Sequence, residues 1–462
     1  MKALKILGWL LLTTILLVVL LYLALVAINW KDRPPSAAVQ RFEQILADRP
    51  LVSADDNAVI YIMGFGAPTD GDPVEDGARR MRWLEAFDDG TSLDSDPLSH
   101  ELNFQAEGSA VVAHLGNACG QDADRLQCAS VFESIARDWQ PGDMDALAVR
   151  RYEALLSRHA WRDVVPMNVA APWPAYSNVM HAQRLYLLRA GQWAAQGRMD
   201  DVRASLEADL GFWRTAAPAS DSLVGQMMAT TALRQHFTFA NLILRGLSAE
   251  RAMRAVPADW RREFSPAERS MKRAMAGEMA FWKGAMAYTQ HAQQSAPSGE
   301  REEAGSATLV EKWTGTLTEP LFKIQDTANG IADKRWRLCE DFEAPLDQYL
   351  RLKAEWDVTG PLDDDFSLYN PVGRTIWRID DGATYVNYIL RTASLEGVRR
   401  AALLAFQLHA NGVTPDAVGS LVAQSDLRDP YTDKPFEWNA ERHSLTFTGP
   451  ENHRARRIEF FY

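Results

Sequence analysis

The sequence predicts a mostly α-helical protein that starts with a membrane-spanning helix and ends in a small antiparallel β-sheet. Three observations support this fold class. The first is an uncharged apolar run at residues 6–28, long enough to cross a bilayer core that needs about 20 residues of helix. The second is helical spacing of apolar residues through most of the chain. The third is a set of short alternating segments near the C-terminus.

The first element, within residues 1–30, is predicted to be an uncleaved signal anchor that contacts the inner membrane through residues 6–28. The apolar region of a cleaved signal peptide spans about 7–15 residues and ends in a small-x-small cleavage site. This run is longer, and its best site, ending at Ala27, has Leu25 where a small residue is needed. A cleaved leader is the alternative.

The charges that flank the anchor give little indication of its orientation. Lys2 and Lys5 precede the run, whereas Lys31 and Arg33 follow it, so the bias is nearly neutral. Long domains are translocated largely regardless of charge. We therefore expect a cytoplasmic N-terminus and a periplasmic C-terminal domain on a single-pass protein.

Cysteine placement agrees with an exported body. Cys119 and Cys128 lie in one short polar segment and are predicted to form a local disulfide in an oxidising compartment. Two free thiols are the alternative, and zinc is disfavoured because no second Cys or His pair has ligand spacing. Cys339 lies within a helical pattern and is expected to be an unpaired core residue.

Composition limits the class of protein. The chain is 47% hydrophobic and 24% charged, which excludes global disorder. A net charge of −12 disfavours nucleic-acid binding and also disfavours contact of the body with anionic lipid. The roughly 430 residues after the anchor exceed the usual size of one core, so two cores or an elongated helical array are expected.

The helical ectodomain core is predicted to span 31–292. Ser36 is predicted to cap a helix that reaches about Ala47. Ala58–Met63 is predicted to form a short buried helix after three capping residues, and a strand is the alternative. Helices over 176–196 and 199–214 are separated by Gly197 and are predicted to form a helical hairpin. A second, looser pair follows at 221–245 and 248–255.

The second half begins with the clearest local signal. Ser265-Pro266-Ala267-Glu268 is a capping box with proline at the first helical position, and it is predicted to open a helix to about Gln290. A mobile polar loop is expected at 293–308. The region 309–462 is predicted to hold helices at about 309–356 and 395–410 and then the terminal sheet.

No sequence motif defines a catalytic centre. The chain has no phosphate-binding loop, no zinc-protease motif and no nucleophile elbow. We expect no cofactor and no metal, and we lean against an enzyme. The weak catalytic candidate is Glu278, a carboxylate on the apolar stripe of its helix, where a buried ion pair is the alternative role.

Two other polar features also have a structural role as the favoured interpretation. His236 lies near an apolar helix face, where a lone histidine is usually a satisfied core residue. Asp363-Asp364-Asp365 has the charge to attract a cation but lacks the glycine and glutamate of a calcium loop. A solvated loop is therefore the expected role of that run.

Several short segments together give the chain a resemblance. They are Asp56-Asn57-Ala58, Gly64-Phe65-Gly66-Ala67-Pro68, Asp72-Pro73, the Cys119 and Cys128 pair, Tyr369-Asn370-Pro371-Val372-Gly373 and the turn Asp429–Phe436. With them the chain resembles an uncharacterised family of membrane-anchored, mostly helical envelope proteins of Gram-negative bacteria. That family has no established activity, so the resemblance implies architecture and location only. Asp433 stands where a glycine is usual, which implies a somewhat strained turn.

The favoured function is protein–protein interaction in the cell envelope, by a periplasmic helical domain on an inner-membrane anchor. Its expected partner is an envelope protein. The alternatives are an envelope hydrolase or lyase that uses Glu278, and a small-molecule carrier with an aromatic groove between helices.

Overall fold

The computed structural model describes residues 2–88, 96–98, 101–108, 110–119, 124–163, 173–295, 317–358, 367–379, 382–451 and 457–462. Within them the protein is mostly helical, with a three-stranded antiparallel sheet near the C-terminus and an apolar N-terminal helix. This confirms the predicted fold class at that level of detail.

The first half of the described chain contains helices α1–α12. Their bounds are α1 Lys2–Ile28, α2 Ala37–Ala47, α3 Ala58–Met63, α4 Pro73–Asp88, α5 Phe104–Glu107, α6 Ala110–Ala118, α7 Arg125–Asp138, α8 Asp143–Leu156, α9 Tyr176–Ala195, α10 Met199–Ala219, α11 Leu223–Arg245 and α12 Ala249–Ala255.

The second half contains helices α13–α20 and strands β1–β3. Their bounds are α13 Pro266–Arg269, α14 Lys272–Ser295, α15 Ile324–Asp341, α16 Tyr349–Val358, α17 Pro371–Ile379, α18 Gly382–Ala393, α19 Leu395–Ala410, α20 Pro415–Gln424, β1 Glu437–Asn439, β2 Ser444–Thr448 and β3 Arg457–Phe461. One-turn 3-10 helices lie at Ala258–Arg261, Glu319–Leu321 and Leu346–Gln348.

Helix α1 is long and apolar enough to span a membrane. Its 24 residues from Lys5 to Ile28 extend about 36 Å at 1.5 Å per residue. Most of its side chains are exposed, as expected for a helix that faces lipid rather than a protein core. Tyr22, Leu25 and Val26 are partly covered, so one face of its last two turns contacts the body.

The predicted helix starts are confirmed at two caps. Ser36 Oγ accepts a hydrogen bond from Val39 N at the start of α2, and Asn57 Oδ1 accepts one from Val59 N at the start of α3. Each cap satisfies a backbone N–H that has no partner within its helix.

The capping box at Ser265 and Glu268 is present, but the helix predicted to run from it to about Gln290 is wrong. Helix α13 ends at Arg269, and α14 starts separately at Lys272. Ser270 between them has extended backbone angles, and its carbonyl accepts a hydrogen bond from Gln226 Nε2 at 3.0 Å. A contact with a distant helix therefore overrides the local helical pattern.

One hydrophobic cluster of buried residues extends from Ala38 to Phe461. Helices α9, α10, α11 and α19 lie in it, and α11 packs against both α10 and α19. Helices from both sides of the predicted loop at 293–308 share this core. Residues 293–295 end α14, and the rest of that predicted loop lies outside the described residues.

The terminal sheet has the order β1-β2-β3, with Trp438 opposite Leu445 and Phe447 opposite Ile458. It packs on α19 at Gly397, where an added Cβ would lie 2.2 Å from a ring carbon of Phe447. The backbone N–H and carbonyl of Phe461 bond the side chain of Asn241 in α11, each at 2.8 Å. The sheet therefore closes one side of the helical core.

The turn before the sheet has the predicted backbone. Asp433 has φ +53°, a left-handed conformation that favours glycine. Asp429 Oδ1 accepts hydrogen bonds from the N–H groups of Tyr431 and Thr432, and Asp433 N donates to the Asp429 carbonyl. These bonds hold the turn that leads from α20 to β1.

Candidate functional site

The segment between α1 and α2 is fixed to the body by polar contacts. Asn29, the residue after α1, accepts a hydrogen bond from Asn370 N at 2.6 Å and donates one to the Leu368 carbonyl at 2.9 Å. Asp32 accepts hydrogen bonds from the N–H groups of Gln325 and Asp326, at 2.8 and 3.0 Å, at the N-terminus of α15. A carboxylate is favourable there because the helix dipole is positive at that end.

The same segment has a second set of contacts one turn further along α15. Ser36 N donates to Asn329 Oδ1 at 2.8 Å, and Asn329 Nδ2 donates to the Pro34 carbonyl at 2.9 Å. Ser36 Oγ donates to Asp333 at 2.9 Å. We call Asn29, Asp32, Ser36, Asn329 and Asn370 the anchor clasp.

Asn370 is the most connected residue of the anchor clasp. Its backbone has φ +50° and the residue is fully buried. Its side chain accepts hydrogen bonds from Lys323 N and Gly373 N and donates to Thr327 Oγ1 at 3.0 Å. Gly373 leaves room for this arrangement, since a Cβ there would lie 1.9 Å from Thr327 Oγ1.

A cavity of about 500 Å³ opens beside the anchor clasp. Of the described side chains that line it, four are cationic and two are anionic, in a protein whose net charge is −12. Arg33 pairs with Asp326 at 3.1 Å and lies over the Tyr369 ring at 4.6 Å. The lining residues are Arg33, Ser36, Asp326, Asn329, Gly330, Asp333, Lys334, Arg337, Arg374 and Trp377.

A second polar cluster lies in the centre of the core, around His236. His236 Nδ1 is 2.9 Å from Asp209 Oδ2, and Trp260 Nε1 donates to His236 Nε2 at 3.1 Å. Because an indole N–H only donates, Nε2 is the acceptor and the proton is on Nδ1. Tyr152 Oη donates to Asp209 Oδ1 and accepts from Trp213 Nε1 at 2.7 Å.

This cluster, which we call the His236 centre, is a structural network. His236, Asp209 and Tyr152 are fully buried, and both ring nitrogens of His236 have protein partners. Burial, and next the charge of Asp209, raise the pKa of Tyr152 well above its usual value. These side chains have no exposed surface, so the predicted role of His236 as a satisfied core residue fits the geometry.

A buried carboxylate pair lies near the end of α10. Asp221 bonds Arg49 at 2.6 Å and Arg273 at 2.8 Å, and it lines a cavity of about 310 Å³. Asp163 lies beside it and accepts hydrogen bonds from Asp221 N and Ser220 Oγ. Burial, and next the charge of Asp221, raise the pKa of Asp163 to about 6.

The structure places the predicted site residues apart from these clusters. Glu278 is half-buried on α14 and lines neither the cavity at the anchor clasp nor the one beside Asp221. Its catalytic role stays a prediction. Asp363-Asp364-Asp365 lies outside the described residues. Within the described part of the chain, no group of three or more His, Cys, Asp or Glu residues is placed to hold a metal ion.

The structure joins Cys119 and Cys128 by a disulfide, with a Cα–Cα distance of 4.7 Å. Cys339 is buried and unpaired, and burial raises the pKa of its thiol to about 12. A thiol in that state is unreactive near neutral pH.

Sequence reasoning missed the anchor clasp and the Asp163–Asp221 pair. The segment Tyr369–Gly373 was noted only as part of a resemblance. Its Asn370-Pro371 pair is a helix-capping signal, but nothing in the sequence pairs Asn370 with Asn29, which lies 341 residues earlier.

Comparisons with known proteins give no relative from which to infer activity: a scan against family models, a search of curated proteins and a search of solved structures found no match.

Proposed function

We propose that this chain is a single-pass membrane protein whose helical body binds another protein at the membrane surface. The anchor clasp is the observation that carries the proposal. Polar contacts at Asn29, Asp32 and Ser36 fix the body to α1, whereas a simple tether needs no such contacts. A body fixed in this way presents the same face at the same height to a partner in or beside the membrane.

The proposal includes a location. The anchor lies in the inner membrane, with the N-terminus in the cytoplasm and the body in the periplasm. The bonded Cys119 and Cys128 pair supports an oxidising compartment. Membership of the family of membrane-anchored helical envelope proteins is part of the same proposal.

The partner surface is formed by the helices in the first half of the body. Helix α9 packs on α10 across Gly197, whose φ of +78° allows a tight reversal, and the two form a helical hairpin. Val224 and Met253, on the following helices, are large apolar side chains with 43% and 50% of their surface exposed. Stacked helices of this kind offer long surfaces to protein partners.

Site-specific photocrosslinking in intact cells tests the proposal. A photoreactive amino acid at Met253 should capture a distinct envelope protein, identified by mass spectrometry after purification from solubilised membranes. The matched control is the same amino acid at Leu421, which is 39% exposed on α20. Absence of any position-dependent adduct, with the protein stable in cells, would remove the support for a protein partner.

A second candidate function is an envelope hydrolase that uses a carboxylate, and one observation favours it. Burial raises the pKa of Asp163 to about 6, so this carboxyl can hold and release a proton near neutral pH. Asp163 itself is buried, but its neighbour Asp221 lines a cavity of about 310 Å³. Asp163→Asn should then fold normally and lose any phenotype of gene deletion that the chain complements. Full complementation by Asp163→Asn and by Glu278→Gln would exclude both carboxylates as catalytic groups.

A further inference from the structure

Three exposed apolar side chains gather beside the end of α1. They are Trp30, Leu317 and Leu368, with 76%, 46% and 48% of their surface exposed. Hydrogen bonds from α1 and from the residue after it place two of them. Tyr22 Oη donates to the Leu317 carbonyl at 3.1 Å, and Asn29 Nδ2 donates to the Leu368 carbonyl at 2.9 Å. We call Trp30, Leu317 and Leu368 the membrane foot.

The position of Leu317 along α1 sets its depth. Tyr22 lies six residues before Ile28, which is about 9 Å along the helix axis. If α1 spans a bilayer up to Ile28, Leu317 lies at the level of the lipid chains and Leu368 at the level of the headgroups. Exposed apolar residues at this height avoid water by contact with lipid, and a tryptophan such as Trp30 is typical of the interface.

Cationic side chains lie at the same end of the body. Lys31 and Arg33 follow Trp30 directly, and Arg33 and Arg374 line the same cavity. Among the described residues, the cavity is lined by four cationic side chains against two anionic ones, Asp326, which pairs with Arg33, and Asp333. Glu319 lies on the short helix after Leu317, and the Asp32 carboxylate accepts two backbone N–H groups. The local charge therefore differs from the net −12 of the chain, which by itself disfavours anionic lipid.

We propose that the membrane foot and the adjoining cavity form a binding site for an anionic phospholipid. The acyl chains lie against Leu317 and Leu368, and the headgroup phosphate is bound by Arg33 and Arg374. Guanidinium groups bind phosphate oxygens through paired hydrogen bonds, and each basic side chain near a membrane surface strengthens binding of anionic lipid. The proposal rests on α1 spanning the membrane, but it assigns a ligand that protein–protein interaction does not require.

Immersion of the membrane foot is tested by spin labelling of the full chain in vesicles of phosphatidylcholine and phosphatidylglycerol. Cys119 and Cys128 are bonded and Cys339 is buried, so a new cysteine is the reactive thiol. A nitroxide at Leu317→Cys should be relaxed more by oxygen than by an aqueous nickel chelate. The control, Leu350→Cys on α16, should show the reverse, and equal aqueous access at both positions would overturn the proposal.

Lipid preference is tested by native mass spectrometry of the full chain released from the same mixed vesicles. The chain should retain phosphatidylglycerol over phosphatidylcholine. Arg33→Gln with Arg374→Gln should lower that preference roughly 25-fold, a factor of five for each cation. The control, Arg198→Gln with Arg203→Gln, removes two surface cations at the start of α10 and should leave the preference unchanged. An unaltered preference in the Arg33 and Arg374 variant would contradict the assignment.

A second variant keeps the test valid if the loss of Arg33 disturbs folding. Leu317→Asn with Leu368→Asn changes only exposed side chains and should reduce lipid retention, whereas Leu350→Asn with Leu421→Asn should not. Displacement of phosphatidylglycerol by millimolar inorganic phosphate would show a site for soluble phosphate and overturn the lipid assignment. Flotation with neutral vesicles reports anchoring by α1 separately, so failure of the anchor and failure of the lipid site are distinguishable.

Discussion

The His236 centre and the anchor clasp are both networks of polar side chains, but they differ in their access to solvent. In the His236 centre, Asp209, Tyr152 and His236 are fully buried and bonded to one another or to tryptophan. The anchor clasp lies at the end of α1, next to a cavity of about 500 Å³. A polar cluster sealed in a core specifies the packing of its helices, whereas one beside an open cavity can also bind a ligand.

The comparison also separates two kinds of charged site. The Asp–His–Tyr arrangement has the residue types of a catalytic centre, yet Trp260 occupies the nitrogen that a substrate would need. The cavity at the anchor clasp is open to solvent, and of the described residues that line it four are cationic and two are anionic. Access therefore carries more weight than residue type in assigning function here.

The largest change in stability is expected from a substitution that disrupts the His236 centre. Asp209→Ala leaves the donors of His236, Tyr152 and Gln183 buried without their acceptor, so the free energy of unfolding should fall by about 3–5 kcal/mol. Chemical denaturation of the purified protein measures it. Asp201→Ala, on the exposed face of the same helix, should change stability by less than about 1 kcal/mol. Equal effects of the two variants would contradict the structural role.

A smaller effect depends on pH and concerns the buried pair near the end of α10. Because the pKa of Asp163 is raised to about 6, the folded state binds this proton more tightly than the unfolded state does. The free energy of unfolding should therefore fall as pH rises from about 4 to about 6, by up to about 3 kcal/mol. Asp163→Asn should flatten the profile in this window. A variant profile as steep as that of the parent would assign the dependence to other groups.

The next prediction concerns local stability at the anchor clasp. Asn370→Ala loses the side-chain hydrogen bonds and places alanine at φ +50°. We therefore expect the free energy of local opening at the anchor clasp to fall by about 2–3 kcal/mol. Hydrogen exchange at Lys323 and Gly373 amides should accelerate, whereas amides of α11 should not. Asn370→Gly accepts the backbone angle and separates strain from lost hydrogen bonds. Faster exchange throughout α11 would show that the anchor clasp is not a local element.

The smallest effect is the loss of one cap in the anchor clasp. Ser36→Ala removes the bonds to Val39 N and Asp333 and should cost about 1 kcal/mol. Ser248 provides the matched control, since it holds the N-cap position of α12 without a side-chain hydrogen bond. Ser248→Ala should be nearly neutral in thermal unfolding, and a cost equal to that of Ser36→Ala would contradict this account of the cap.

Local patterns predicted much of the fold. The helix at Leu395–Ala410 has the predicted bounds, and the caps at Ser36 and Asn57 act as expected, because each depends on neighbouring residues. The break at Ser270 was missed because it depends on Gln226, which belongs to another helix. Spacing along the chain carries no signal for such long-range polar contacts.

Long-range contacts also explain why the sequence predicts little of the candidate sites. His236 was identified as a satisfied core residue from its apolar face, but its partners Asp209 and Tyr152 were not. The residues of the anchor clasp come from three separate segments, and only the folded chain brings them together. The apolar pattern that indicates Glu278 lies within one helix, whereas the cavity at the anchor clasp is lined by other segments.

The central claim is that the body is held in a fixed position on its membrane helix. The most direct test is the distance distribution between nitroxides at Trp9→Cys in α1 and Leu350→Cys on α16, measured by pulsed electron paramagnetic resonance on the full chain in lipid nanodiscs. Both native side chains are exposed. A single narrow distribution is predicted, and it should broaden in Asn370→Ala. A broad distribution in the parent chain, as expected for a flexible tether, would contradict the claim.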